Sequence, residues 1–340
     1  MTNRAFVTPA AIVAAALVSA ALSSLAHAQL APSRLYFGVN REIPIDVKVP
    51  EGKEGEAVIE LLRPITAEKA GSASVLPGKV NLATLFPNLW NTKTPTLLYA
   101  QLSVGGEKIG PALVLQPLVT PKNAQGRGSG ADGGVRFVDG PNVYSGLRVY
   151  VDKHVVFETD KGEVEFQLRP DAAPNTAFNF RHLVEGGFYT DIIFHRIVPK
   201  LPNGEPFVIQ VGDPTGTGMG GPGYQVDLEQ SALPHDFGVL SNARSGDPNS
   251  NGSQVFVCLS RNGTSFLDGQ YTSFAQAVRG GDVIRAIAAS PTGAGDKPLD
   301  PMPKIKAAKL IDAPPFAGAI KMTDAGVKKD AIETNTPAER

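Results

Sequence analysis

Residues 35–119 set short apolar runs between turn residues: FGV, IDVKV, AVIELL, LLYAQLSV and ALVLQPLV are cut by proline, glycine and Lys-Glu clusters. IDVKV alternates as a half-buried strand does, and TLLYAQLSVGGEKIGPALVLQ predicts a hairpin about Gly105-Gly106. The pattern predicts a small antiparallel β-sandwich over residues 29–120. Farther along, HVVFETDKGEVEFQL predicts two strands about a turn at 160–162, with Val164, Phe166 and Leu168 in period-two register. APNTAFNFRHLVEGGF switches to a helical period. Pro174 suits a first turn, Ala177, Phe180, Leu183 and Val184 share one face, and Gly186-Gly187 stops the helix. A second helix is predicted near 282–290. Two helices among many strands over residues 148–312 predict a mainly β fold, a closed antiparallel β-barrel capped by two helices, rather than a βαβ sheet.

Two polar tracts punctuate this order. PKNAQGRGSGADGGVRFVDGPN has too little apolar surface to pack and predicts a flexible linker over 121–147. Residues 313–340 predict a disordered tail, in which Phe316 and Ile332 are the side chains able to dock. At the other end, Arg4, an apolar stretch over 10–21 and a small-x-small site at Ala26-His27-Ala28 predict a signal peptide over 1–28, cut before Gln29. That places the protein in the periplasm or outside the cell, an uncleaved anchor being the alternative. No later stretch approaches the roughly 20 apolar residues of a membrane span.

Charge adds an exclusion. The net charge is −1, which gives no electrostatic reason to expect nucleic acid as a partner. Cys258 is the only cysteine, so no internal disulfide is available, and its apolar setting in VFVCL predicts a buried, inert thiol. Histidines 154, 182, 195 and 235 show no metal-binding spacing, and neither a metal nor a cofactor is expected. The run GTGMGGPG lacks a following Gly-Lys-Ser/Thr, which argues against a phosphate loop. Trp90 reads as a core or domain-contact residue, and Asp227, Glu229 and Asp236 read as solvated loop charges. The region before the linker carries no catalytic pattern, so it reads as a binding or spacer unit.

One residue remains unexplained. Arg196 of FHRIV places a permanent charge in an apolar run, which is costly unless a carboxylate such as Asp213 or a substrate compensates. FHRIV, PFVIQVGDPTGTG, LSNARSGDPNSNGSQVFVCL and FLDGQYTSFAQAV, in this order, resemble the cyclophilin family of peptidyl-prolyl cis-trans isomerases. The resemblance spans 155–311, about half the chain, and leaves the region before Asn142 uncovered. It implies a cyclophilin-like barrel in which Arg196 is the catalytic arginine and Gln210 positions the guanidinium and the substrate backbone. Phe207 would be the pocket phenylalanine, with Val208 beside it. Ala243 and Arg244 would line the peptide groove, Gln254 and Phe256 would supply groove and pocket, and Phe266, Leu267 and Tyr271 would complete the wall. Strand alternation turns His195 away from the face of Arg196.

The chain also departs from the family. LPNGEP is an excess before Phe207, Val208 and Asn242 stand where many members have methionine, Phe266 stands for a tryptophan, and Tyr271 for a histidine. The Phe266 change is expected to weaken cyclosporin binding. The resemblance implies an enzyme acting, without a cofactor, on proline-containing segments; the leader makes those of unfolded exported proteins the expected ones, and an envelope partner is expected for the N-terminal region, which the resemblance does not cover. The alternative is a proline-peptide-binding chaperone or scaffold with little turnover, which the insertion before Phe207 favours.

Overall fold

The computed structural model describes residues 28–126, 134–323 and 326–328. The predicted signal peptide, apart from Ala28, and Ile332 lie outside the described residues. In the first region β1 (Leu30–Pro32), β2 (Tyr36–Gly38), β3 (Pro44–Val47), β4 (Ala57–Leu62), β5 (Lys69–Val75) and β6 (Gly78–Asn81) precede β7 (Leu98–Val104), β8 (Glu107–Lys108) and β9 (Leu113–Val119). Next come β10 (Asn123–Gly126), β11 (Val135–Val138) and β12 (Tyr144–Val151). Strands β1, β3 and β6 form one sheet; the larger one runs β2-β12-β9-β7-β4-β5, with β8 on β7. Leu30, Ile45 and Val47 of the small sheet share a buried cluster with Ile59, Leu102 and Leu115 of the large one. The predicted turn is where expected: Gly105 and Gly106 have φ of 56° and 85°, the left-handed pair that a tight hairpin requires.

The segment read as a linker is more structured than its composition suggests. Strands β10 and β11 pair in register from Asn123↔Val138 to Gly126↔Val135, and β12 carries the chain back into the large sheet between β2 and β9. Backbone pairing needs no apolar side chains, which is why composition missed the hairpin. Tyr144 anchors the start of β12 by packing on Trp90 at 6.1 Å and donating its hydroxyl to Leu89 O at 3.0 Å.

Asp152 alone separates β12 from β13 (Lys153–Thr159), the first strand of the second region. There follow β14 (Gly162–Leu168), β15 (Ile192–Ile193), β16 (Arg196–Val198), β17 (Val208–Val211), β18 (Val239–Asn242), β19 (Val255–Cys258), β20 (Ser273–Arg279) and β21 (Lys304–Asp312). Their order is β15-β21-β13-β14-β20-β18-β19-β17-β16. The path ends on two strands that are neighbours in sequence, and no ladder joins them among the described residues. The sheet is therefore curled, and the ladder closure expected of a barrel is absent from its hydrogen-bond pattern. Its interior is aromatic, with Phe157, Phe166, Phe180, Tyr189 and Phe274 fully buried.

The two predicted helices are Pro174–Glu185 and Gly281–Ala288. The first buries Ala177, Phe180, Leu183 and Val184 as the pattern requires. Its start is capped from afar: Glu229 accepts from Asn175 N, Thr176 N and Thr176 Oγ1 at 3.1, 2.7 and 2.8 Å. The carboxylate read as a solvated loop charge is thus a buried cap at a helix N-terminus, where negative charge is favoured. No helix among the described residues is long and apolar enough to cross a membrane.

The tract after β21 does not fray at once. Phe316 stacks on Tyr99 with centroids 3.7 Å apart, its N–H donates to Gln101 Oε1 at 2.7 Å, and its carbonyl accepts from Lys108 Nζ at 3.0 Å. Gln167 then donates to Gly318 O at 3.2 Å and accepts from Ile320 N at 2.9 Å. One aromatic in a polar tract suffices because Leu62, Tyr99, Val114 and Tyr150 offer it an apolar shelf. Beyond it, β22 (Lys321–Thr323) pairs with β23 (Gly326–Lys328).

Candidate active site

The last three strands at one end of the sheet, β19, β17 and the edge strand β16, set the site. Arg196 on β16 is the register partner of Gln210 on β17, which in turn faces Phe256 on β19. Ile197 points into the core and is fully buried, whereas Arg196 and Val198 share the outer face. On that face Val198, Val208, Phe256, Cys258 and Leu267 form a separate apolar cluster, with Phe207, Ala243 and Tyr271 packed against it. Strand pairing thus delivers a guanidinium to the border of a small apolar surface.

The rim is aromatic. Phe207 and Phe266 stack at 5.8 Å, and Phe256 meets Tyr271 edge-on at 5.7 Å. Arg244 lies over the Tyr271 ring at 4.6 Å and donates to Gln270 O and Ser245 O at 3.0 and 2.8 Å. Beside this rim runs an open groove of about 740 Å³, lined by Gln210, Met219, Tyr224, Ala243, Arg244 and Gln254 among others.

Gln254 ties the groove together. It accepts from Gln210 Nε2 at 3.0 Å and donates to the carbonyls of Gly218 and Gly220 at 2.9 and 2.8 Å. The glycine loop folds about Asp213, which accepts from the backbone N–H groups of Thr215, Thr217 and Gly218. Burial pushes the Asp213 carboxyl up, but hydrogen bonds from Thr215, Gly220 and Gly218 outweigh it and hold the group well below the usual range. The run 216–223 is therefore a loop organised by one carboxylate.

The carboxylate beside Arg196 is a different one. Its guanidinium meets Asp296 Oδ2 at 3.4 Å, both side chains being about two-fifths exposed at 42% and 43%. Asp213 is occupied by its own loop, so the ion pair weighed for it does not form. Among the described residues no hydrogen bond joins Gln210 to Arg196, and the Gln210 amide N–H is given to Gln254. His195 is buried beneath the glycine loop, with both ring nitrogens lacking a partner among the described residues. Burial keeps its pKa below the usual value.

Sequence reading missed the support under the pocket. His235 stacks on Phe256 at 6.0 Å, with Nδ1 at 2.9 Å from Asp268 and Nε2 at 2.9 Å from Ser241 Oγ. Arg261 completes the chain by pairing with Asp268 at 2.6 Å. Burial lowers the His235 pKa against the pull of Asp268. Asp268 sits inside FLDGQY, but nothing local ties it to a histidine 33 positions earlier. Burial pushes the Cys258 thiol far up, so it is inert as expected.

A family model described as cyclophilin type peptidyl-prolyl cis-trans isomerase/CLD matches residues 154–310. Peptidyl-prolyl cis-trans isomerase-like 1 of Aspergillus fumigatus is 39% identical over 163 residues, which are 46% of this chain and 95% of that protein. Peptidyl-prolyl cis-trans isomerase ppi1 of Schizosaccharomyces pombe is 38% identical over 162 residues, 46% of this chain and 99% of that protein. The chain belongs to the cyclophilin family. A crystal structure of a cyclophilin type isomerase from Cryptosporidium parvum is 32% identical and covers 48% of this chain and 99% of its own, with a TM-score of 0.43.

The cyclophilin match starts at His154, just past the Asp152 junction, so the first region and the β10-β11 hairpin lie outside what is shared. Within the cyclophilin region the LPNGEP excess closes on itself, with Leu201 N donating to Glu205 O and Gly204 N to Leu201 O, both at 2.8 Å. The register Val198↔Val208 is kept across it, and Arg196 stays opposite Gln210.

Proposed function

We propose that this cyclophilin accelerates rotation about X-Pro bonds by seating the proline on the apolar cluster and donating from Arg196 to the prolyl nitrogen. The observation that carries this is the guanidinium on the rim of the apolar cluster, partly exposed and paired, among the described residues, only with the half-exposed Asp296. The peptide bond has a barrier of about 18 to 20 kcal/mol, and uncatalysed X-Pro exchange takes roughly tens to hundreds of seconds. Going from roughly 0.01 to between 10 and 1,000 turnovers per second requires lowering the barrier by about 4 to 7 kcal/mol.

Two effects combine. Phe207, Phe256 and Leu267 remove the amide from water, which otherwise hydrogen-bonds the polarised carbonyl and slows rotation. As the bond twists, the nitrogen pyramidalises and its lone pair becomes an acceptor for Arg196. That hydrogen bond exists only near the transition state, so it raises rate rather than affinity. Asp296 orients the guanidinium through an exposed contact that is cheap to give up, on the order of 1 kcal/mol or less. Gln210 acts through Gln254, fixing the groove that holds the flanking peptide as an extended strand.

A protease-coupled proline-peptide assay tests this. Arg196→Ala is expected to lower kcat about a hundredfold with little change in KM. Equal rates would leave proline-peptide binding without turnover as the better reading.

We read the two N-terminal sheets as a small β-sandwich and the substrates as segments of exported proteins. Export is supported by the leader pattern, and Leu30, just past the predicted scissile bond, is already fully buried. Mass spectrometry of the mature chain should find Gln29 at its start.

A further inference from the structure

The hairpin of β10 and β11 touches the back of the groove wall. Asn249 Nδ2 donates to Ala124 O at 3.0 Å, and Ala124 is buried. A Cβ on Gly126 would lie 3.9 Å from Pro248 Cδ, and one on Gly134 would lie 3.8 Å from Gln270 Oε1. Pro248 and Asn249 belong to the turn whose bases, Ser245 and Ser250, line the groove. The Gln270 carbonyl holds Arg244, which also lines it. Asn249 further accepts from Leu228 N at 3.2 Å. One side chain thereby ties the hairpin, the groove turn and the segment behind it.

We propose that the hairpin buttresses this wall and that Asn249 is the positioning residue through which it acts, so that the enzyme favours proline segments with several extended flanking residues over minimal ones. This rests on the isomerase reading above. The turn 245–250 is otherwise held mainly by short-range hydrogen bonds among Ser245, Asp247, Asn249 and Ser250. Bracing it from outside removes conformations that a long peptide would have to suppress on binding. Among the described residues no hydrogen bond, ion pair or ring contact joins the proline cluster or Arg196 to the hairpin, so a short substrate gains nothing from it.

The hairpin base invites excision. A Cβ on Gly140 would lie 3.0 Å from Pro121 O, and Lys122 pairs with Asp139 across the stem at 3.2 Å. Residues 122–139 can therefore be replaced by one glycine without parting the sheets. Asn249→Asp is the complementary change, because it keeps an oxygen for Leu228 N–H and loses the donor to Ala124 O. Affinity and turnover are measured by NMR exchange on a blocked Ala-Ala-Pro-Phe tetrapeptide and on a decapeptide with the same centre.

The intact chain is expected to bind the decapeptide about fivefold tighter than the tetrapeptide, and both variants to bring the two within about twofold, leaving tetrapeptide kcat unchanged. Equal losses on both peptides, or an intact chain indifferent to length, would overturn the proposal. If one variant unfolds in a thermal melt, the other carries the test. Length preference without turnover by the intact chain would instead sink the isomerase reading and leave this one standing.

Discussion

Arg196 illustrates how a side chain's role depends on its neighbours' other commitments. Asp213 lies nearby in sequence but is consumed by six hydrogen bonds from Thr215, Thr217 and Gly218, which leaves Asp296 as the acidic partner among the described residues. An exposed pair contributes little, so Asp296→Ala is expected to change kcat/KM by no more than about threefold. Arg196→Lys keeps the charge but loses the planar fork, and kcat should fall more than about tenfold in the same assay. A larger effect of Asp296 than of Arg196→Lys would mean that orientation rather than donation limits the rate. FHRIV, PFVIQ and SQVF, through the resemblance they carry, made the nearness of Arg196, Gln210 and Phe256 legible in advance, and adjacent strands hold the three in register. Asp296 and the His235-Asp268 pair were not legible, because loops bring them in.

The junction of β12 and β13 is a single buried residue, and that makes it titratable in an informative way. Burial pushes the Asp152 carboxyl from 3.8 up to about 6, against the opposing pull of His154, the Lys153 N–H and Arg181. The folded state thus keeps a proton that the unfolded chain releases. The associated stability is complete below the ordinary carboxylate pKa and is lost as pH rises through about 6. Asp152→Asn should therefore raise the unfolding midpoint at about pH 7.5 and change it little at about pH 3. An equal shift at both pH values would place the effect in packing instead. Helix Pro174–Glu185 teaches a related lesson: its apolar face was readable from spacing, but Glu229, its cap, comes from 53 and 54 residues away.

The two regions are held as one body by the strap after β21 as well as by the junction. Phe316 is 3% exposed and stacked on Tyr99, while Arg148 of β12 lies over Phe178 of the second region at 4.0 Å. Truncating a buried phenylalanine costs about 3 to 5 kcal/mol. Phe316→Ala is accordingly expected to split thermal unfolding into two transitions in scanning calorimetry, with the first region melting earlier. A single transition at the original midpoint would show that the strap is not what couples them.

Local patterns decided much of this protein: which stretches are strands, and where Pro174 starts a helix and glycines end it. These follow from periodicity, which acts over a few residues; that three motifs bring Arg196, Gln210, Phe207 and Phe256 together was implied by the family resemblance instead. Folding in three dimensions decided the rest, including Asp296 for Arg196, Ala124 for Asn249 and Gln101 for Phe316, across separations of 100, 125 and 215 residues. Such partners depend on which polar groups and apolar shelves are still unclaimed once the sheets have formed, and no local pattern encodes that remainder.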